Sequence, residues 1–313
     1  MKVLVIGNVR EEALRELRKF VDTIVCLPEP TTSEDIIREI ADSDAILHKI
    51  GILGQTELQH QTKLQLIARH GVGLDYLDLD YIRSLGIPVS ITNTANSNSV
   101  AEATIGLMLA AIRHFSQGEA MLKRDHAWAR ERLMGREIRH LTIGLFGYGR
   151  IGSRVAHILD AFGAEILVYD PYPAAAREDG RTVVSMDELL QRADVISLHC
   201  PLTAATKGIV NAEAIAKMKR GVVLVNTARG GLFDKEALAD GLRSGQIGGL
   251  ATDSFDHEPP DFTDAVFGFE NALTTPHLAA MTLDAQVAMG VRAVEEIHRV
   301  LVEGLPPTNN VCA

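Results

Sequence analysis

The chain has 313 residues, 46% of them hydrophobic, and a formal net charge of −10 at pH 7. This length exceeds the usual size of a single core, so two domains are expected, and the hydrophobic content excludes a disordered chain. The negative charge disfavours binding to nucleic acid or to an anionic membrane surface, although locally placed cations can still hold a small anion.

The cysteines Cys26, Cys200 and Cys312 are far apart and include no CxxC pair. Neither a zinc site nor a disulfide framework is predicted, so no metal is expected and a reducing, cytoplasmic setting fits best. The chain begins with a strand-like segment rather than the basic and apolar leader of a signal peptide. The most apolar helical run, residues 103–112, is too short to span a bilayer.

Residues 1–92 alternate between strand-like and helical patterns, which indicates a small parallel α/β domain. Strands are predicted at 3–6, 23–26, 45–48, 64–68 and 88–91, and helices at 11–20 and 33–41. Ser33 is the predicted cap of the second helix. This part of the chain has no glycine fingerprint of its own.

Residues 93–99 are polar and rich in turn formers, so they are predicted to cross between domains. Ser99 and Glu102 form a capping-box pattern, which predicts a long helix that continues to about Leu122. Apolar residues cover much of the circumference of this helix. It is therefore expected to be buried, either between domains or against a second subunit, and a homodimer is expected.

A G-x-G-x-x-G pattern follows a predicted strand at 141–146 and opens a predicted helix at 151–162, with another strand at 166–169. Its glycines are Gly147, Gly149 and Gly152. The first permits a tight turn, the second lets the backbone approach a pyrophosphate, and the third lets the helix pack against the strand. The helix N-terminus offers free N–H groups to the anion. This pattern predicts a dinucleotide-binding site.

Asp170 ends the second strand of this unit, about 20 residues after the glycines, where a carboxylate can accept hydrogen bonds from an adenosine ribose. It would repel a 2′-phosphate, so NAD is favoured over NADP. Arg150, inside the turn, is predicted to face phosphate rather than to be an incidental surface cation.

The alternation of strands and helices resumes after the fingerprint and predicts a doubly wound parallel sheet. Strands are predicted at 194–198, 222–226, 249–253 and 272–275, and helices at 212–218 and 235–244. The last helix, 283–303, is amphipathic and ends at Gly304, so it is expected to close the chain back onto the first domain.

Polar residues follow these strands, where a doubly wound sheet binds its ligands. They lie in His199 to Thr203, Asn226 to Gly230, Asp253 with Glu258, and Thr274 to His277. Together with Arg69-His70-Gly71-Val72-Gly73, Asn93-Thr94, Val100-Ala101-Glu102, Glu258-Pro259 and Pro276-His277, these motifs occur in a characteristic order. The chain resembles the D-isomer-specific 2-hydroxyacid dehydrogenase family over nearly its whole length.

The resemblance implies two α/β domains with the active site in the cleft between them. A Rossmann NAD domain at residues 97–283 would be inserted into a smaller, flavodoxin-like substrate domain formed by residues 1–96 and 284–313.

Arg229, Glu258 and His277 are the catalytic set that the resemblance implies. His277 would exchange a proton with the substrate oxygen, Glu258 would hold the imidazole and favour its protonated form, and Arg229 would clamp the substrate carboxylate and polarise its carbonyl. Each also has an ordinary structural interpretation. The histidine could be a satisfied structural group, the arginine a solvated surface cation, and the glutamate a turn carboxylate.

The resemblance also implies a set of cofactor contacts. Besides the three glycines and Asp170, they are Val72, Arg150, Ile151, Cys200, Thr206, Thr227, Ala228, Asp253 and Ala280. Asp253 is placed to accept from the nicotinamide carboxamide rather than to cap a turn. Cys200 is expected to be a small packed residue rather than a nucleophile.

On the substrate side, the turn Gly71-Val72-Gly73 would present backbone N–H groups to the substrate carboxylate, with Val72 itself giving only apolar contact. Many family members carry an arginine just after the third strand, and this chain has His48-Lys49 instead. Either Lys49 or His48 replaces that arginine as a substrate-side cation, or both are solvated. His199 is interpreted as cofactor-side or structural rather than as the proton donor.

The leading hypothesis is an NAD-dependent oxidoreductase that interconverts a small 2-oxo acid and its D-2-hydroxy acid, for example glyoxylate or hydroxypyruvate and the corresponding hydroxy acid. One alternative is D-3-phosphoglycerate dehydrogenase, whose phosphate would require further cations; the chain ends at Ala313 without the regulatory extension of some such enzymes. An alternative of another class is a corepressor-like scaffold that senses NAD.

Overall fold

A computed structural model describes residues 1–312, so Ala313, the last residue of the predicted substrate domain, lies outside the described residues. The chain forms two compact units. Unit 1 comprises Met1–Asn96 and Met281–Ala313, and unit 2 comprises Ser97–Ala280. None of the helices in residues 1–312 is long and apolar enough to cross a membrane.

Unit 1 is a five-stranded parallel sheet with helices on both faces. Its strands are β1 (Lys2–Ile6), β2 (Thr23–Leu27), β3 (Ala45–His48), β4 (Leu66–Arg69) and β5 (Val89–Ile91). Its helices are α1 (Glu11–Leu17), α2 (Ser33–Ile40), α3 (Gln55–Leu58), α4 (Leu79–Ser84) and α12 (Leu283–Leu301). The strand order β2-β1-β3-β4-β5 is that of the flavodoxin-like fold, which confirms the predicted fold class of this unit.

The central strands of unit 1 are apolar throughout because both faces of the sheet are covered. Val3 and Val5 point to one face, where they share a core with α1 and α12. Leu4 and Ile6 point to the other face, where they pack with Ile36 of α2 and with residues of α4. The last helix therefore packs onto the sheet of the first domain, as its amphipathic pattern predicted.

The N-terminal cap of α2 is Thr32 rather than Ser33, so that prediction was wrong by one residue. The Thr32 hydroxyl accepts from the Asp35 backbone N–H at 3.2 Å, and the Asp35 carboxylate accepts from the Thr32 N–H at 3.3 Å. This is a reciprocal capping box. Ser33 lies in the first helical turn, and its hydroxyl donates to Glu57 at 2.6 Å.

Unit 2 is a seven-stranded parallel sheet. Its strands are β6 (Thr142–Phe146), β7 (Glu165–Tyr169), β8 (Thr182–Val183), β9 (Val195–Leu198), β10 (Val222–Asn226), β11 (Ile247–Thr252) and β12 (Ala272–Thr274). Its helices are α5 (Ser97–Ile112), α6 (Phe115–Lys123), α7 (Arg150–Asp160), α8 (Ala174–Glu178), α9 (Met186–Arg192), α10 (Ala212–Lys217) and α11 (Lys235–Ser244). The order β12-β11-β10-β9-β6-β7-β8 reverses between β9 and β6, which confirms the doubly wound Rossmann fold.

The predicted long helix that should begin at Ser99 is in fact two helices. The first, α5, already begins at Ser97, and Ser99 lies inside it and donates its hydroxyl to the Ala279 carbonyl at 2.7 Å. The break falls at His114, whose φ of 55° is left-handed and cannot continue a helix.

Burial of α5 also differs from the expectation. Its apolar side chains, including Ile105 and Met108, belong to the same core as Ile143 and Val225 of the unit 2 sheet. The sheet of its own unit therefore covers α5, and the apolar circumference of the helix is not an argument for a second subunit.

Candidate active site

The glycine turn joins β6 to α7 at the switch point of the unit 2 sheet. Gly147 has a φ of 104°, a conformation that side chains rarely adopt. A Cβ on Gly152 would collide with the Gly147 carbonyl oxygen, so only glycine allows α7 to approach the turn this closely. A Cβ on Gly149 would meet no protein atom within 4 Å, so the space above the turn is open. This geometry fits a bound pyrophosphate at the N-terminus of α7.

Asp170 directly follows β7, and the local backbone fixes its carboxylate. One oxygen accepts from the Tyr148 N–H at 2.7 Å and the other from the Tyr172 N–H at 2.7 Å. Because Tyr148 lies inside the glycine turn, the first of these bonds links the acid to the predicted pyrophosphate site. Each carboxylate oxygen can accept another bond, so the arrangement fits a ribose diol.

The other predicted cofactor residues of unit 2 follow the same strand ends. Arg150 is exposed and is the first residue of α7. The next residue, Ile151, packs against the core that α5 shares with the unit 2 sheet. The Thr206 hydroxyl donates to the Pro201 carbonyl at 2.6 Å, and the Thr227 hydroxyl lies 2.8 Å from that of Thr104. The Thr206 hydroxyl therefore has its partner in its own loop, whereas the partner of the Thr227 hydroxyl lies on α5.

Cys200 and His199 follow β9 and have no features of catalytic groups. Burial raises the pKa of Cys200 to about 11, so its thiol stays protonated, in agreement with the expected packed residue. Burial lowers the pKa of His199 to about 4, and its Nε2 lies 2.9 Å from the Ser197 hydroxyl. His199 is thus neutral and lies beside the glycine turn, and its cofactor-side and structural interpretations both stay predictions.

His277 and Glu258 form a directly hydrogen-bonded pair. The Nδ1 atom of His277 lies 2.7 Å and 2.9 Å from the two carboxylate oxygens of Glu258. Nδ1 therefore carries a hydrogen that it donates to the carboxylate, and Nε2 is the nitrogen that can exchange a proton with a ligand. About half of the His277 side chain is exposed.

The charges around this pair favour a protonated imidazole. The hydrogen bond that His277 donates to Glu258 raises the pKa of His277. Burial and the positive charge of Arg229 oppose this effect, and the negative charges of Glu258 and Asp253 add to it. For Glu258, burial raises the pKa. The hydrogen bond and charge of His277, the hydrogen bond from the Phe255 N–H and the charge of Arg229 together outweigh burial, so the pKa is lowered. Both shifts favour an imidazolium paired with a carboxylate, an arrangement that suits a general acid.

Asp253 fixes the loop that carries His277. This carboxylate is buried and accepts from the Thr275 hydroxyl at 2.5 Å and from the N–H groups of Leu278 and Ala279 at 2.8 and 2.7 Å. The bonds bracket His277, whose φ of 51° places it in the left-handed region and costs of order 1 kcal/mol. Asp253 thus stabilises this conformation of the His277 backbone, a role that sequence reasoning missed, and its predicted contact with nicotinamide stays a prediction.

Arg229 lies on the loop after β10, in the same unit as His277 and Glu258. The buried Asn226 side chain fixes this loop, because its amide donates to the Arg229 carbonyl at 2.8 Å and its oxygen accepts from the Ala228 N–H at 2.9 Å. The guanidinium is close enough to lower the pKa of both Glu258 and His277. Unit 2 therefore brings the three predicted catalytic side chains together. The structural role of Asn226 was not predicted from the motif.

In unit 1, His48 cannot be the substrate-side cation. Its side chain is fully buried, and burial together with the charge of Arg69 lowers its pKa to about 3. The alternative that both His48 and Lys49 are solvated is also wrong for His48, whose Nε2 lies 2.7 Å from the Gly51 carbonyl. The Lys49 ammonium is mostly buried and donates to the Asn8 carbonyl at 2.8 Å.

Arg69 holds the turn that was predicted to bind the substrate carboxylate. Its buried guanidinium donates to the Gly73 carbonyl at 2.8 Å, to the His48 carbonyl at 3.0 Å and to the Lys49 carbonyl. The Gly71 N–H donates to the Thr92 hydroxyl at 2.9 Å, so it already has an acceptor. The sequence analysis treated Arg69 only as part of a motif, and its position in that motif did not predict hydrogen bonds to the backbone of the turn.

The fold and the glycine turn define unit 2 as a Rossmann-type dinucleotide-binding domain. The family model described as "D-isomer specific 2-hydroxyacid dehydrogenase, NAD binding domain" matches residues 105–279, more than half of the chain. The chain belongs to the D-isomer-specific 2-hydroxyacid dehydrogenase family, and its cofactor is NAD. The resemblance found from the motifs is therefore confirmed.

Two curated relatives show how far the similarity extends. The chain is 39% identical over 305 residues to a D-3-phosphoglycerate dehydrogenase of Methanocaldococcus jannaschii, which covers 96% of this chain and 57% of that protein. It is 43% identical over 242 residues to a hydroxypyruvate reductase of Thermotoga maritima, which covers 76% of this chain and 78% of that one. The chain thus spans little more than half the length of the phosphoglycerate dehydrogenases that it matches.

Solved structures match this chain over nearly its whole length. The TT0316 protein of Thermus thermophilus superposes with a TM-score of 0.89 at 33% identity, covering 99% of this chain and 100% of that one. A glyoxylate reductase from Paecilomyes thermophila superposes with a TM-score of 0.88 at 29% identity, covering 99% and 98% of the two chains.

Proposed function

We propose that this chain is an NAD-dependent oxidoreductase that interconverts a small 2-oxo acid and its D-2-hydroxy acid. The observation that carries the proposal is the His277–Glu258 pair with Arg229 nearby, in the same unit as the glycine turn. Family membership and the relatives named hydroxypyruvate reductase and glyoxylate reductase support the same reaction.

The side chains have separate tasks in this reaction. When bound, NAD supplies or takes up the hydride at the substrate carbon. Arg229 binds the substrate carboxylate through its planar fork and places positive charge beside the carbonyl oxygen. In reduction, His277 delivers a proton from Nε2 to that oxygen, and in oxidation it accepts the proton. Glu258 holds Nδ1 and stabilises the imidazolium.

We assign substrate binding to unit 1 and cofactor binding to unit 2. The backbone N–H groups of Val72 and Gly73 have no acceptor among residues 1–312, which leaves them available to a carboxylate. Lys49 is the proposed cation of this unit, because His48 is neutral.

A panel of 2-oxo acids tests the reaction by steady-state oxidation of NADH. Glyoxylate and hydroxypyruvate should both be turned over. Faster turnover of phosphohydroxypyruvate would favour the second candidate, D-3-phosphoglycerate dehydrogenase, which the names of several relatives support. Tight NADH binding without turnover of any acid would contradict the proposal and favour an NAD-sensing scaffold.

Replacing Glu258 by glutamine should move the pH profile of the reaction. In the unchanged protein the raised pKa of His277 keeps the imidazolium to higher pH, so kcat/KM for reduction falls as pH rises through that pKa. Without the carboxylate, burial and Arg229 still lower the pKa, so the fall should shift to lower pH. Measuring kcat/KM between about pH 5 and 10 checks this. The exposed Glu270→Gln is the matched control, and an unmoved profile in Glu258→Gln would show that the pair is assigned wrongly.

We propose a homodimer that forms through the segment of α6 and the residues after it. No side chain of α6 is buried, and four large apolar residues are exposed between residues 115 and 134: Phe115, Leu122, Trp128 and Met134. The same segment carries both acids and bases, so two copies related by a two-fold axis can pair opposite charges.

The change Trp128→Glu should weaken such a dimer at least about 100-fold, as expected when a buried aromatic anchor becomes a charge. Sedimentation velocity over a range of protein concentrations measures this. The control Ile52→Glu alters an exposed apolar residue of unit 1 instead. The proposed dimer would be contradicted if the protein without substitutions is a monomer, or if the Trp128→Glu variant dimerises as strongly as that protein.

We propose that the protein works in the cytoplasm. The three cysteines are free in the described part of the chain, and Cys26 is exposed. Unpaired cysteines are typical of a reducing compartment.

A further inference from the structure

The loops that carry Arg229 and Glu258 touch through their backbones at Gly230. A Cβ built on Gly230 would lie 2.6 Å from the Phe255 Cα and closer still to the peptide bond between Phe255 and Asp256. Ordinary contacts of a Cβ begin at 3.4 Å. These neighbours are backbone atoms, so no side chain can rotate away to make room.

The conformation of Gly230 does not itself require glycine. Its φ is not positive, so an alanine could adopt the same backbone conformation. The requirement at this position is therefore the close approach alone.

Two further interactions connect the same loops. The Phe255 N–H donates to the Glu258 carboxylate at 3.2 Å, so the strip of backbone that touches Gly230 also orients the catalytic carboxylate. The Lys235 ammonium, at the start of α11, lies 3.4 Å from Asp256 and 3.5 Å from Asp264. Arg229 is thus linked to Glu258 through the neighbouring Gly230, the contact of Gly230 with the Phe255 backbone, and the hydrogen bond from the Phe255 N–H to Glu258.

We propose that Gly230 is a positioning residue whose missing side chain sets the spacing between the Arg229 guanidinium and the His277–Glu258 pair. The inference rests on the proposed function for its catalytic consequence, but the spacing itself can be measured without turnover. An added methyl group must separate the two loops by about 1 Å, a displacement that can cost about 100-fold in rate.

The test is Gly230→Ala with two readouts. Turnover of hydroxypyruvate should show kcat/KM lowered by about 100-fold, with NADH affinity by fluorescence titration unchanged. NMR titration of the His277 imidazole should show a shifted midpoint, because its pKa reflects Glu258, Asp253 and Arg229. The midpoint should rise if the Arg229 loop moves away from His277, because the guanidinium lowers the pKa of His277. It should fall if the Glu258 loop moves away, because the carboxylate raises that pKa.

Two alanine controls separate this effect from general disturbance. Gly268→Ala lies in the loop after Glu258, where a Cβ meets no atom within 4 Å, and should leave both readouts unchanged. The atoms nearest to a Cβ on Gly231 are the ends of the Leu202 and Asp256 side chains, which can rotate, so the effect of Gly231→Ala should be small. An unshifted His277 midpoint in folded Gly230→Ala would overturn the proposal. If the protein without substitutions shows no turnover, but the His277 midpoint is still shifted in Gly230→Ala, only the proposed function is overturned.

If Gly230→Ala does not fold, Lys235→Gln provides the second test. It removes the ion pairs with Asp256 and Asp264 without adding atoms at the contact. The expected result is a smaller fall in kcat/KM with unchanged NADH affinity. Lys217→Gln is the matched control, because it removes two ion pairs on α10, with Asp187 and Glu213, instead. Equal activity of the two lysine variants would count against the coupling of the loops.

Discussion

The change His277→Asn should lower kcat for 2-oxo acid reduction by about 1,000-fold, within the range that one general acid contributes. NADH affinity should stay the same, because the glycine turn and Asp170 are untouched. Asparagine is the replacement of choice because it tolerates the left-handed backbone that His277 adopts, so the loss reports the imidazole rather than the loop. Single-turnover kinetics with a saturating acid isolate the chemical step.

The matched control is His140→Asn. His140 is an exposed histidine just before β6, at the opposite end of the unit 2 strands from the loop of His277, and its loss should not alter kcat. A His277→Asn variant with near-normal kcat would remove the histidine from the mechanism. The Glu258 variant would then be expected to have a normal pH profile as well.

The change Arg229→Ala should lower kcat/KM for the 2-oxo acid by at least about 1,000-fold, equivalent to about 4 kcal/mol of transition-state stabilisation. The side chain is proposed both to bind the carboxylate and to polarise the carbonyl, so KM and kcat should both change. Arg229→Lys should recover only part of the loss, because an ammonium keeps the charge but lacks the planar fork. Both constants follow from initial rates over a range of acid concentrations.

Arg220→Ala is the control for this variant. Arg220 lies in the turn before β10 and Arg229 in the loop after it, so the two changes remove the same group at opposite ends of one strand. Normal activity of Arg229→Ala would show that the clamp is elsewhere. Weakened NADH binding in Arg229→Ala would instead show that the guanidinium serves the cofactor.

Much of the fold could be predicted because its signals are local. The apolar runs of β3 and β10 and the periodicity of α11 gave their bounds residue for residue. The glycine spacing located the switch point, because a tight turn and a close helix approach leave few alternatives to glycine. Short elements such as β8, with two residues, and α8, with five, carry too few residues for a period to show.

The errors share a physical cause, which is that one pattern can arise from two arrangements. Ser99 and Glu102 have capping-box spacing, yet Ser99 lies two residues inside α5 and bonds to Ala279, far along the chain. For the pair His48-Lys49, the prediction was that one of them is a substrate-side cation or that both are solvated. Complete burial makes the histidine neutral, and burial depends on contacts that no local pattern encodes.

The sequence offers the proposed catalytic residues but not the side chains that hold their loops in place. The order of the motifs predicts Arg229, Glu258 and His277 as the catalytic set, and the structure brings them together in unit 2, but only the structure reveals the side chains that hold their loops. Asn226 holds the arginine loop and Asp253 the histidine loop, in each case through hydrogen bonds to backbone atoms. Backbone atoms are the same in every residue, so such bonds leave no complementary partner to find in the sequence.

The packing of α5 has a practical consequence for anyone who wishes to study the nucleotide-binding half by itself. The first fingerprint strand suggests excision from about Leu141, but that cut would strip Ile105, Met108 and their neighbours from the sheet and open its interior to water. A fragment meant to stay monodisperse in storage and to bind NADH should instead start at Ser97.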